Sequence, residues 1–199
     1  MHMDRRALIA DAAIDVIAEA GARSLTHRAI DRRLGLPLGS TSYYFRTRRD
    51  LIGVVVDRIH LQSKEDFAKS GLVPVAASCV ADVVEGVAKS LEQTIAGRRK
   101  QLLARCALMV ELVDDPPLRM RLMVSLFSRE KAVALFTVLG AGDPSRLASG
   151  FVQLLEGLVL DHIVGYRTPP ADSDLCDIAA ELAVPIEAYL VGAVSMGAG

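Results

Sequence analysis

Leu25-Thr26-His27-Arg28-Ala29-Ile30-Asp31-Arg32-Arg33-Leu34-Gly35-Leu36-Pro37-Leu38-Gly39-Ser40-Thr41-Ser42-Tyr43-Tyr44-Phe45 contains two short helical patterns separated by one tight break. The Thr26 hydroxyl can cap a helix that begins at His27, and Ala29, Ile30 and Leu34 give that helix an apolar side. Gly35 ends it. After Gly35-Leu36-Pro37 a second short helix is predicted over residues 38–44, with Pro37 tolerated near its start because the missing N–H is unneeded there. Leu36, Thr41 and Phe45 share the side that packs inward, which turns Gly39, Ser42, Tyr43 and Arg46 outward. Two short helices joined by a glycine-containing turn make a helix-turn-helix.

Outward from this motif the helical reading continues in both directions. Upstream, Leu8/Ile9, Ala12/Ala13, Val16/Ile17 and Ala20 recur at three- to four-residue spacing, and Gly21 follows as a C-terminal cap. Downstream, residues 50–69 read as a long connecting helix with Leu51, Val54/Val55, Ile59 and Leu61 on one broad side, broken at Gly71 and Pro74. Further breaks fall at Ala96-Gly97, Asp114-Asp115-Pro116-Pro117, Gly140 to Pro144 and Thr168-Pro169-Pro170. The prediction is an all-α chain of about nine helices, divided into a head at 1–61 and a larger helical domain at 62–199, with a frayed Gly/Ala-rich tail from Met196 to Gly199. The absence of tryptophan and an aromatic content of 5% agree with packed helices better than with a β-sandwich.

Charge follows the same division. The formal net charge is only -1, but residues 1–61 hold ten arginines against seven acids, whereas residues 62–199 hold thirteen basic and seventeen acidic residues. Positive charge therefore gathers at one end, as a small DNA-binding head requires. Cys79, Cys106 and Cys176 are far apart, lack any Cys-x-x-Cys pairing, and read as buried free thiols. No local nucleophile motif, zinc-binding His-Glu-x-x-His, phosphate loop or dinucleotide fingerprint occurs, so no catalytic residue, metal ligand or cofactor is assigned and an enzyme is not expected. The apolar segments carry Arg105, Glu111, Glu156 or Asp161, and none offers the roughly 20 uninterrupted apolar residues of a membrane span. A soluble cytoplasmic protein is the expectation.

Over residues 5–59 the chain resembles the head of the TetR (tetracycline-repressor-like) family of transcriptional regulators. The resemblance rests on Leu25-Thr26-His27-Arg28-Ala29-Ile30, Leu34-Gly35-Leu36, Gly39-Ser40-Thr41-Ser42-Tyr43-Tyr44-Phe45, Arg48 and Leu51, in ungapped register. It implies a ligand-responsive repressor that binds near-palindromic double-stranded operator DNA as a homodimer. The DNA-binding residues are then Thr26, His27 and Arg28 at the start of the first short helix, Leu38, Gly39, Ser40, Ser42, Tyr43 and Tyr44 on the second, and Arg46 and Arg48 at phosphates. Three positions depart from the family pattern. Ser42 stands for a usual tyrosine, so a phosphate contact passes to Tyr43 or Tyr44. Thr41 stands for a usual leucine or isoleucine. Asp31 stands for a usual alanine and must find a partner such as Arg28, Arg32 or solvent.

In the larger domain, three helices are expected between Val75 and Val138. Leu102, Arg105, Cys106, Met109, Met120, Met123 and Phe127 are the candidates for lining a small apolar ligand, with Glu85, Glu111 and His162 as further polar anchors, although a methionine stripe equally suits a plain core. The two last helices are apolar on more than one side. By the resemblance they form a four-helix dimer interface, for which Phe151, Leu155, Leu158, Leu175, Ile178, Leu182 and Ile186 are the candidates; closure of a monomeric core is the alternative. A helical small-molecule-binding dimer that has lost DNA recognition remains the rival function.

Overall fold

The computed structural model describes residues 4–69, 79–168 and 178–195. Among these the chain is entirely helical: α1 (Arg5–Ala20), a 3-10 turn (Ala22–Ser24), α2 (His27–Arg33), α3 (Ser40–Tyr44), α4 (Arg48–Lys69), α5 (Val80–Gly97), α6 (Arg99–Glu111), α7 (Pro116–Met123), α8 (Arg129–Val138), α9 (Pro144–Val164) and α10 (Ile178–Ser195). Four helices, not three, occupy the stretch up to Val138. The additional break, between α7 and α8, contains neither glycine nor proline. It is made instead by hydroxyls: Ser125 Oγ donates to the Leu122 carbonyl, and the Ser128 side chain caps α8 by accepting from Lys131 N–H.

The helices sort into two compact units. The first takes in the described residues up to Lys64 and Arg99–Leu126. It is thus larger than a head ending at residue 61. Ile9, Ile17, Leu25, Ile30, Leu51, Val55 and Ile59 of the head share one core with Ala104, Leu108 and Leu112 from the α6 side and Leu118 and Leu122 from α7. A head of about 60 residues buries too little apolar surface to be stable with ease, and α6 adds a further wall to it. Ion pairs rim this core: Arg58 with Asp11, Lys100 and Arg33 with Asp15 and Glu19, Arg49 with Asp115, Arg48 with Glu111, and Arg121 with Asp57. Exposed pairs of this kind contribute about 0–1 kcal/mol each, so the apolar core carries the unit.

The second unit comprises the described residues of Glu65–Arg98 and those from Phe127 onward. Here α10 packs along α5 and α9 along α8. Its core joins Val83, Ala88, Leu91 and Ile95 to Phe136, Phe151, Leu155, Val159, Leu182, Ile186 and Leu190. Phe136, Phe151 and Tyr189 meet as an aromatic cluster, with ring centroids 5.6 to 6.1 Å apart. The Tyr189 hydroxyl donates to the Leu147 carbonyl at 2.7 Å across the bare backbone of Gly150. His162, also buried, donates from Nδ1 to the Leu158 carbonyl; among the described residues its Nε2 meets no hydrogen-bond partner.

The expectation of buried cysteines needs correction. Cys79 is exposed, not buried, at the N-cap of α5, and Cys106 is half-buried. Phe151, Leu155, Leu182 and Ile186 are buried in the core of their own unit. The exposed stripes lie elsewhere on the same helices: Gln153, Gly157, Leu160 and Val164 on α9, and Val184, Ala188 and Val191 on α10. Leu158 and Ile178 are half-buried, while Leu175, Cys176 and the expected breaks at Gly71, Pro74, Pro169 and Pro170 lie outside the described residues. By length and composition alone α9 and α10 are apolar enough to cross a membrane, a test that the core helices of a helical bundle also pass.

Candidate nucleic-acid interface

The helix-turn-helix is built by local capping at each of its joints. Thr26 has extended backbone, and its Oγ1 accepts from Ala29 N–H at 3.1 Å, so α2 starts where the sequence places it. Its end is a Schellman turn: Leu36 N–H donates to the Asp31 carbonyl at 2.8 Å and Gly35 N–H to the Arg32 carbonyl at 3.3 Å. This closure needs a left-handed residue, and Gly35 supplies it with φ 63°. Gly39 also has a left-handed backbone, φ 93°, and α3 begins at Ser40, two residues later than predicted.

Five residues make a weak helix, and α3 is held from α2 at both ends. Asp31 and Thr41 are both fully buried. One Asp31 oxygen accepts from Thr41 N–H at 2.8 Å and from the Thr41 hydroxyl at 2.6 Å; the other accepts from Gly39 N–H at 2.8 Å. Burial pushes the Asp31 carboxyl up, but the Thr41 hydroxyl and the two N–H donors outweigh it and hold the group below its ordinary pKa. Neither Arg28 nor Arg32 is the partner expected from the sequence; both remain exposed. At the other end His27 Nε2–H donates to the Phe45 carbonyl at 2.7 Å, which fixes the tautomer because a carbonyl only accepts.

These restraints determine what reaches solvent. Phe45 is buried beneath the Arg6 guanidinium, 5.2 Å from its ring centroid, and Tyr44 packs on the core. Tyr43 stands 83% exposed, edge-on to Tyr44, and Leu38, Gly39, Ser42 and Arg46 are open beside it. Ser40 is half-buried. The hydroxyls of Ser40 and Ser42 donate to the Pro37 and Gly39 carbonyls, each at 2.7 Å, which leaves their oxygen lone pairs facing outward as acceptors. Exposed Arg28 lies on the first turn of α2 and Arg46 just beyond α3.

Two of the candidate residues are engaged inside the unit. His27 is half-buried as the strut just described, and Arg48 donates to the Ala22 carbonyl at 2.7 Å while pairing with Glu111 at 2.9 Å. Arg6, which sequence reasoning passed over, sits against the end of α3; its signal was a basic residue at a helix start followed by an aromatic in the turn beyond α3, a pairing only the fold brings together. Of the candidate ligand residues, Met109 and Met123 pack against the first unit's core and Met120 is 65% exposed. Leu102 and Arg105 are buried, whereas Phe127 belongs to the second unit and is half-buried.

Residues 78–185, more than half of the chain, match the family described as "Tetracyclin repressor-like, C-terminal domain". Among solved structures the chain is similar to a TetR-family member from Streptomyces coelicolor A3, with 26% identity, a TM-score of 0.67, and coverage of 92% of this chain and 98% of that one. It is also similar to the multidrug binding protein EbrR complexed with malachite green, with 23% identity, a TM-score of 0.68, and coverage of 94% and 98%. A transcriptional regulator from Rhodococcus sp. Rha1 shares the fold at 18% identity with a TM-score of 0.74, covering 96% of each chain. No curated protein matches.

Proposed function

Because the chain belongs to the tetracycline-repressor-like (TetR) family of regulators, we propose that it binds a near-palindromic operator as a homodimer and represses transcription until a small apolar ligand releases it. The observation that carries the DNA-binding part is the α3 face: Tyr43, Ser42 and Leu38 are exposed beside Arg28 and Arg46 on a helix held from behind at both ends. A short, rigid helix with small hydroxylated residues can approach major-groove base edges closely, while flanking arginines meet phosphates or guanine.

Dimerisation is supported by the spacing of the exposed stripes. Gln153, Gly157, Leu160 and Val164 recur every three to four residues, as do Val184, Ala188 and Val191, so α9 and α10 each present a narrow seam suited to left-handed helix packing. Two heads in a dimer then meet half-sites about one DNA turn, roughly 34–36 Å, apart. Ligand sensing is supported by buried His162, whose Nε2 meets no hydrogen-bond partner among the described residues of the second unit. A ligand acts by preferring the state whose heads do not fit the operator, and α4, which runs through Lys64 of the first unit into Glu65–Lys69 of the second, is one of three covalent routes between them, with those at Arg98–Arg99 and Leu126–Phe127. We assign the site of action to the cytoplasm, where the operator lies.

The test is selection from random duplexes at physiological salt, followed by titration of the recovered duplex at rising salt. The expected result is a motif with two related half-sites and an affinity that falls steeply with salt as phosphate contacts are lost. No enrichment from a chain that is dimeric in solution would replace this reading with a small-molecule-binding dimer that lacks DNA recognition.

A further inference from the structure

A carboxylate buried without water is costly unless hydrogen bonds replace the lost solvent. Asp31 has no exposed surface, and all three donors that satisfy it come from the first turn of α3 or its N-cap residue. Gly39, at the N-cap of α3, has no side chain with which to cap the helix, and Ser40 and Ser42 direct their hydroxyls to carbonyls. The only side chain that reaches the amide groups at Gly39 and Thr41 among the described residues is thus Asp31, from a different helix.

We propose that Asp31 is a positioning residue for DNA recognition: from α2 it supplies the N-terminal cap that α3 lacks, and with Thr41 it sets the angle at which Ser42 and Tyr43 are presented. The proposal rests on the DNA-binding reading above. Asp31 touches no base or phosphate in this scheme, since it has no surface to offer. Its effect passes through two backbone amides and one hydroxyl, and His27 braces the opposite end of the same helix. With both ends fixed, the 83% exposed Tyr43 ring is carried on a platform whose position is set before DNA arrives. Lost positioning therefore shows first in discrimination between duplexes, because discrimination depends on base-edge geometry, whereas attraction to any duplex depends on the exposed arginines.

The experiment compares binding of the full chain to its selected duplex and to an unrelated duplex of equal length, with amide hydrogen exchange measured at Gly39 and Thr41. Asp31→Asn keeps the side chain's size but turns one acceptor into an N–H donor facing another donor. It is expected to expose the Gly39 or Thr41 amide to exchange and to lower the preference for the selected duplex by roughly tenfold or more, with binding to the unrelated duplex unchanged. Thr41→Val, which removes only the hydroxyl, is expected to lower the preference less; Thr41→Ser, which keeps it, restores the wild-type value. The Thr41 pair decides the matter if Asp31→Asn fails to fold. Unchanged preference in Asp31→Asn or, where that variant is unfolded, in Thr41→Val overturns the proposal, as does an equal loss on both duplexes. If the wild-type chain selects no duplex, the DNA-binding reading falls and the proposal falls with it.

Discussion

Thr41 and Tyr43 stand two positions apart on the same short helix and face opposite ways, one fully buried and the other 83% exposed. Replacing Tyr43 by alanine is therefore expected to leave the thermal midpoint unchanged while weakening binding to the selected duplex by about 1–3 kcal/mol, the scale of a specific base contact; equal affinity by fluorescence anisotropy would remove Tyr43 from the interface. The Thr26 cap was legible because its hydrogen bond spans only three residues. The anchoring of Arg48 was not, since its partners at Ala22 and Glu111 are distant in sequence, and an arginine after a helix-turn-helix looks the same whether it faces phosphate or carbonyl. Asp31 was visible as an anomaly, but its partner was another anomaly, Thr41, ten residues away. Acid sensitivity follows from such capped carboxylates. Asp31 and Asp50 both titrate below the ordinary range; burial opposes the shift at Asp31, where the hydrogen bonds of Thr41 and Gly39 prevail, and at Asp50 the Thr47 N–H and hydroxyl cause it. A lowered folded pKa means stability that is present above about pH 4 and is lost as pH falls through the folded value. Melting curves are expected to move to lower temperature below that pH, and less steeply for Asp50→Asn than for the wild type.

At the scale of the helix, close approach in the second unit depends on a missing side chain. A Cβ at Gly150 would overlap the Tyr189 hydroxyl that binds the Leu147 carbonyl. Gly150→Ala is expected to cost about 1–3 kcal/mol in urea unfolding, as overpacked sites do. Adding Tyr189→Phe should recover part of that loss, because the overlapping atom is the hydroxyl; a double variant no better than the single one would place the strain elsewhere. Helix existence and type were legible along most of the chain because apolar periodicity and glycine or proline breaks agree. The α7–α8 break was missed because serine hydroxyls make it. On α9 and α10 the sequence identified the most apolar stripe, but the most apolar stripe is the one a chain uses first for its own core. Phe151, Leu155, Leu182 and Ile186 are buried for that reason, and the exposed seam is the less apolar one.

For the whole molecule, the division at residue 61 followed a shift in charge and a change in helix length, both of which are local signals. Packing divides the chain differently, because Ala104, Leu108, Leu112, Leu118 and Leu122 close the head's core from far along the sequence. The assembly expected from the exposed seams makes a prediction of its own. Val184→Glu with Val191→Glu places two charges on the open side of α10 and leaves the buried core untouched. Sedimentation should show a monomer with wild-type helicity, and binding to the selected duplex should weaken together with dimerisation. An unaltered dimer would place the interface on another surface. The most direct measurement is the affinity of the wild-type chain for its selected duplex and for the same duplex with about five base pairs, half a helical turn, inserted between the half-sites. Two α3 helices held at a fixed separation should lose about 100-fold or more on the insertion, the factor lost when one of two linked binding events is removed. Equal affinity for the two duplexes would contradict recognition by a dimer with two fixed heads.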